Sequence, residues 1–424
     1  MKTIQINDNI RLCHINMTKL KTTSVGVYIH RPLDEKTASY NALLSLVLKS
    51  ASREYPSMEK IAESLDDLYG ATMGTAVLKM GEDHIIYFDA ETISDIYTPN
   101  GEKLLSGLIK LLMSVIFDPK LIGDGFDTEI VERERKNATD KIDAFINDKR
   151  QYASNRCQAE TARGTDFAVM RFGNKDIISE ITAIELYEYY KSIINSSLID
   201  IYICGNADID NAVNTVREYT NNMSFTPAKR INTDIVNRDE NVLHKVEETM
   251  KVAQGKLAMG YLTNVKPSDS EYYALVVFNS VFGAGAHSKL FNNVREKLSL
   301  AYYASSQLEK FKGMLIVNAG IEFENFEKAR DEVMLQLEEI RKGNISEHEF
   351  SSSVSAIINT CNSYYDDQRA LVSFYLSESL TETDRSLDEY IESIRKVTVD
   401  DVSNVAKKLQ LDTVYFLKGE NENA

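Results

Sequence analysis

The sequence predicts an α+β fold of two homologous domains, each a mostly antiparallel sheet with helices packed on one face. Two observations carry this expectation. The second half of the chain repeats the first at an offset of 232 to 233 positions, and in each half apolar runs of strand character alternate with long helical periods, including two helices in succession. The length agrees, since 424 residues exceed one ordinary hydrophobic core and suggest two or more units of roughly 100 to 200 residues.

The elements follow in order. The strand-like run Ser24 to Ile29 is answered by Leu257 to Leu262, with Tyr28 and Tyr261 separated by 233 positions. The helical run Tyr40 to Leu48 meets Tyr272 to Phe278, and both are apolar on nearly every face, as a buried helix requires. A second helix follows in each half: Met58, Ile61, Leu65 and Leu68 correspond to Leu290, Val294, Leu298 and Ala301 at helical spacing, and Tyr69 then pairs with Tyr302. His84 to Phe88 corresponds to Met314 to Asn318 as a further strand. Each is followed by a long amphipathic helix, Gly101 to Ile116 and Phe326 to Ile340. Both halves close alike, Ile181 to Tyr187 leading into strand Ile199 to Cys204, and Val397 to Val402 leading into Thr413 to Leu417. Between Asn221 and Asn241 the apolar periodicity gives way to Asn, Thr, Pro227, Lys, Arg and Asp, as in an exposed linker. The expected domains are therefore residues 1–222 and 242–424.

Composition narrows the function classes. With 43% hydrophobic and 26% charged residues the chain reads as soluble and globular. A formal net charge of -16 argues against nucleic acid as the main ligand. The N-terminus, beginning Met1-Lys2-Thr3-Ile4-Gln5, lacks the apolar stretch of a signal peptide, and no apolar run is long enough to span a bilayer. A cytoplasmic protein with no membrane partner is expected. Cys13, Cys157, Cys204 and Cys361 lie far apart and without CxxC pairing, so buried free thiols are expected.

The segment Phe282-Gly283-Ala284-Gly285-Ala286-His287-Ser288-Lys289-Leu290-Phe291-Asn292-Asn293-Val294-Arg295-Glu296-Lys297-Leu298-Ser299-Leu300-Ala301-Tyr302 is similar to a signature of the pitrilysin and insulinase peptidase family, which includes the mitochondrial processing peptidases. The family's C-terminal domain carries a glycine-rich turn and then an Arg-Glu-Lys-Leu-Gly-Leu-Ala-Tyr-like string, of which only the Gly is changed here, to Ser299. The internal repeat extends the resemblance over essentially the whole chain, because family members pair two homologous α+β domains around a chamber.

The resemblance implies zinc chemistry that this chain lacks. The family's inverted motif HxxEH places two His on one face of a helix to bind Zn²⁺, with the Glu activating the metal-bound water. A further Glu from a later helix completes the ligands. Laid on this sequence, the motif falls at Asn41-Ala42-Leu43-Leu44-Ser45, and the later Glu falls near Lys141, where a cation would repel the metal. The six His residues, His14, His30, His84, His244, His287 and His348, are too dispersed for any two to share a helical turn. His84 and His348 have acidic neighbours, but a surface histidine beside acids is the ordinary case. No intrinsic zinc or other cofactor is expected.

Arg295 and Tyr302 are the contrasting positions, because the resemblance implies that they bind substrate peptide near the scissile bond. Guanidinium and phenol are donors suited to a peptide carbonyl and to the oxyanion formed from it. Read alone, Arg295 is a helix-surface charge and Tyr302 a packed aromatic; the surrounding string favours the binding role. Gly283 and Gly285 suit a tight turn into a helix and belong to no nucleotide-binding pattern. Ser288, and Ser57 in the first half, are expected as helix N-caps.

Three functions remain open. The first is a non-catalytic, substrate-binding subunit of a two-chain zinc metallopeptidase acting on peptides, inactive alone, with zinc and HxxEH on a homologous partner. The second is a peptide-binding or scaffolding protein with no hydrolysis in its complex, for which a homodimer is conceivable. The third, a self-sufficient zinc metallopeptidase with atypical ligands, has no support from the histidine spacing.

Overall fold

The computed structural model describes residues 1–238 and 242–420. The last part of the expected linker, 239–241, and the end of the second expected domain, 421–424, lie outside the described residues. Two compact units are present, the first comprising Met1–Asp143, Val169–Asn232 and Asp366–Val372, the second Ala144–Ala168, Thr233–Tyr365 and Ser373–Ala424.

In the first unit, strands β1 (Lys2–Gln5), β2 (Ile10–Ile15), β3 (Thr22–Pro32), β4 (Thr72–Met80) and β5 (Asp83–Ile93) are joined by a later strand into one sheet. A two-stranded hairpin, β6 (Leu121–Ile122) and β7 (Gly125–Phe126), stands apart, and the later strand is β8 (Leu198–Cys204). The sheet order is β1-β2-β8-β3-β5-β4, antiparallel throughout except for the parallel pair β2 and β8. Alternate residues of the central strands, Val25, Val27 and Ile29 of β3 and Ile199, Ile201 and Ile203 of β8, face a core shared with two helices, α1 (Glu35–Ser50) and α3. Helix α2 (Met58–Asp67) precedes α3 (Leu104–Phe117), and α4 (Thr128–Asn147), α5 (Lys149–Thr161), α6 (Lys175–Glu180), α7 (Ala183–Ile194) and α8 (Ile209–Thr220) follow. Each large aliphatic side chain buried in that core stabilises by about 1.5–3 kcal/mol. Helix α1 has ten of its sixteen residues buried, which explains why its sequence is apolar on nearly every face. Asp34 starts it by accepting from the Thr37 amide.

The second unit holds β9 (His244–Met250), β10 (Gly255–Leu262), β11 (Ala301–Glu309), β12 (Met314–Ile321) and β13 (Gln410–Gly419) in the order β11-β12-β10-β13-β9. Written as β4-β5-β3-β8-β2, the first sheet has the same order, and in both the last pair is parallel. The repeat is thus one of topology, with β1 as an added edge strand in the first unit. The second half of the chain supplies helices α9 (Tyr272–Phe282), α10 (Phe326–Arg341), α11 (Glu347–Ser363), α13 (Leu387–Arg395) and α14 (Val399–Ala406) to the second unit, while α12 (Gln368–Leu380) begins in the first unit and ends in the second. The similar endings of the two halves share a chemistry: Thr182 with Glu185 and Thr398 with Asp401 each form a reciprocal capping box at a helix start.

Two features depart from the sequence expectation. The units exchange segments across the expected cut at 222 to 242. Helix α5 contributes Ala153 and Cys157 to a cluster with Ala258, Ile316, Tyr415 and Leu417 of the second sheet. Conversely Gln368 Nε2 donates to the Thr22 carbonyl at 2.7 Å and Arg369 pairs with Asp89 at 2.7 Å in the first unit. Chain position sets the repeat, but the apolar face of a helix goes to whichever sheet covers it. The second correction concerns the expected helix over Leu290 to Ala301, which is a π-helical segment, Leu290–Lys297. Leu298 stands 45% exposed and Ala301 opens β11, because Ser299 takes φ +49° and ends the helix. No helix among the described residues is long and apolar enough to cross a membrane. All four cysteines are free and buried.

Candidate functional site

Helix α1 places Asn41, Leu44 and Ser45 on the buried side of the first unit, and each is committed to packing or local hydrogen bonding. Tyr189 of α7 donates its hydroxyl to Asn41 Oδ1 at 2.7 Å, while Asn41 Nδ2 lies 2.9 Å from His84 Nδ1. His84 Nε2 in turn lies 2.8 Å from the Arg171 carbonyl. These bonds require a neutral His84 with its hydrogen on Nε2, since Nδ1 must accept from the amide. Burial pushes the His84 imidazole down to about 4, so the neutral form persists. The expected surface histidine is therefore a buried one, 0% exposed, at the start of strand β5. Its signal in the sequence was the apolar strand that it opens, which outweighed the acids before it.

Leu44 is fully buried in the core, and Ser45 Oγ donates back to the Ala42 carbonyl at 2.9 Å. Lys141 of α4 does reach the same place: Ala42, Ser45, Leu46, Thr75, Ala76, Val77, Ala138, Lys141 and Phe172 line one pocket of about 210 Å³ within the first unit. The donors do not fit zinc. A locked amide, an aliphatic side chain, a hydroxyl turned to the backbone and an ammonium stand where two imidazoles and two carboxylates would be needed. Among the described residues no group of three or more His, Cys, Asp and Glu is placed to hold a metal ion.

In the same sheet, four charged residues on neighbouring strands form a largely buried network that no sequence motif singles out. Arg11 of β2 donates twice to Asp200 of β8, with both contacts at 2.5 Å. His30 of β3 bonds Asp83 at 2.6 Å through Nδ1 and faces Asp200 at 3.4 Å through Nε2. Burial opposes the imidazolium, but the two carboxylates outweigh it and raise His30 to about 10. Two cations and two anions balance, so the arrangement reads as a structural ion cluster rather than a reacting one.

The second unit carries the Arg295 and Tyr302 string. Gly283 is where the turn needs glycine, since a Cβ there would meet the Ser306 amide at 2.5 Å. Ser288 Oγ accepts from the Phe291 amide at 3.3 Å, and Ser57 Oγ from the Lys60 amide at 3.3 Å, so both serines cap as expected. Arg295 leaves the π-helical segment with its guanidinium 4.7 Å from the Phe291 ring centroid and 3.5 Å from Glu296, its side chain 41% exposed. Tyr302 is 55% exposed at the start of edge strand β11, where its hydroxyl donates to Glu322. That carboxylate raises the phenol's pKa. The repeat reproduces the pairing in the first unit, where Tyr69 donates to Glu102 at 2.9 Å.

Residues 180–357 match the family described as the peptidase M16 inactive domain. The probable inactive metalloprotease YmfF of Bacillus subtilis is 35% identical over 410 residues, covering 96% of this chain and 95% of that protein. The chain belongs to the M16 peptidase family. Among solved structures, a conserved protein from Enterococcus faecalis superposes with a TM-score of 0.91 at 31% identity, covering 100% of this chain and 99% of that one. The peptidase M16 inactive domain from Pseudomonas fluorescens shares the fold, with a TM-score of 0.79 at 16% identity and coverage of 99% and 98%. The chain is an inactive M16 metalloprotease-like protein, in line with the matched family description, with YmfF and with its own α1 and α4 side chains.

Proposed function

We propose that this M16 protein is the non-catalytic, substrate-binding subunit of a two-chain zinc metallopeptidase acting on peptides. A homologous partner supplies HxxEH and zinc; this chain supplies Arg295 and Tyr302. The observation that carries the reading is an asymmetry: the α1 motif is filled by core-forming and locally bonded side chains, whereas Arg295 and Tyr302 stay substantially exposed on the second unit. Exposed Arg and Tyr donors suit a peptide carbonyl and its oxyanion. Tyr302 would exchange its bond to Glu322 for one to the peptide.

Co-purification from the native source tests the pairing. A similar-sized protein bearing HxxEH is expected with the chain, with zinc in the partner and less than stoichiometric metal in the isolated chain. Recovery of self-associated chain alone would favour the scaffold reading instead. Zinc bound tightly by the isolated chain would support an atypical metallopeptidase and sink both.

A further inference from the structure

We propose that the pocket between α1, β4 and α4 binds a carboxylate carried on a short apolar stem, with Lys141 as its counter-charge. The lining explains the stem. Ala42, Leu46, Ala76, Val77, Ala138 and Phe172 make the walls apolar, and about 210 Å³ is smaller than the roughly 300 Å³ at which pockets begin to hold drug-sized molecules. One side chain or one short branched acid fits that space.

The charge explains the head group. No carboxylate lines the pocket, although the chain as a whole carries -16. The one charged lining residue is Lys141, whose affinity for a proton is lowered by partial burial and by Lys49 of α1, with Glu134 acting in the opposite direction. Arg171 stacks 4.5 Å from the centroid of the Phe172 ring that forms one wall. The acid that acts on Lys141, Glu134, already accepts from Ser50 Oγ at 2.9 Å, Arg133 Nε at 2.8 Å and Asn137 Nδ2 at 2.8 Å. Among the described residues neither Lys49 nor Lys141 forms a salt bridge. A lining ammonium with a second lysine acting on it, and no ion pair on either, favours an incoming anion beside an apolar cavity.

A glutamate of a bound peptide and a free short-chain acid offer the same chemistry. The peptide source rests on the function proposed above; the free-acid source does not. Isothermal titration of the full chain at pH 7 with 4-methylpentanoate and its amide, and with two capped pentapeptides carrying Glu or Gln at the centre, separates them. Either acid is expected to bind at least tenfold more tightly than its uncharged analogue, and Lys141→Met to remove that preference. The arm that binds names the source. Lys141 is exposed, so the variant should keep its melting temperature, and the acid-to-amide ratio of the wild type is a test independent of it. No binding by either acid, equal binding of acid and amide, or a preference kept in Lys141→Met would overturn the proposal. Turnover in a reconstituted pair that depends on Arg295, alongside such a result, would leave the accessory-subunit reading standing.

Discussion

The two units share a strand order but differ in what their repeated first helices and the segments after them are asked to do. In the first, Asn41, Leu44 and Ser45 are turned into core and local hydrogen bonds, and the α4 position opposite is a lysine at an apolar pocket. In the second, the string after the buried cap leads to Arg295 and Tyr302, which stay 41% and 55% exposed. The same architecture therefore tolerates complete replacement of a metal site by packing on one side while retaining exposed donors on the other. Loss of catalytic side chains did not require loss of the fold, because zinc ligands on a buried helix can be replaced by groups that satisfy one another.

The comparison can be broken most severely at Leu44. Leu44→Glu would bury an unpaired carboxylate at a 0% exposed position and is expected to destabilise by about 3–5 kcal/mol in urea denaturation. An unchanged midpoint would mean that this helix still accommodates the family's base. Next in size is the His84 arrangement. Its folded pKa of about 4 lies below the ordinary histidine value, so the unfolded chain binds more protons between the two. Stability should be fully present above about pH 6.5 and fall by up to about 3 kcal/mol as pH drops towards 4. The dependence should be absent in His84→Gln, as read from urea midpoints across that range. Asn41→Ala, which leaves the Tyr189 hydroxyl and His84 without their partner, should cost about 1–3 kcal/mol at neutral pH.

Smaller effects sharpen the second unit. Ser299 occupies φ +49°, where a side chain is strained by roughly 1 kcal/mol, so Ser299→Gly should raise the denaturation midpoint by about that amount. A fall would mean that the Ser299 side chain contributes contacts that outweigh the strain. Tyr302→Phe and Tyr69→Phe remove equivalent exposed hydroxyls and should each change stability by less than about 0.5 kcal/mol. Their difference should lie in function alone, with only the first reducing peptide turnover in a reconstituted pair.

Much of this was legible in the chain. The repeat of Tyr28 with Tyr261 and of the Thr182 and Thr398 segments anticipated two sheets of one order, because alternating burial and helix capping are local and survive in sequence. The placement of the family motif at Asn41 to Ser45 comes from the resemblance and not from a local pattern; the side chains found there are those of a packed, locally bonded helix. What was hidden depends on distant partners: Asn41 meets residues 43 and 148 positions away, and Arg11 meets Asp200 at a separation of 189. Nothing in either segment signals the other. The placement of α5 on the second sheet was hidden because its buried residues, Ala153, Ser154, Cys157 and Thr161, are too small and polar to mark a buried face in the sequence. The π-helical segment was hidden because a β-strand begins inside the apolar spacing that suggested a longer helix.

The most direct test of the asymmetry is the rate at which an unfolded peptide is cleaved by the chain combined with its HxxEH-bearing partner, comparing wild type with Arg295→Ala. The account predicts chelator-sensitive cleavage by the pair, none by this chain alone, and a loss of at least tenfold on removing Arg295. Chelator-sensitive cleavage by this chain alone, or a pair indifferent to Arg295, would contradict it.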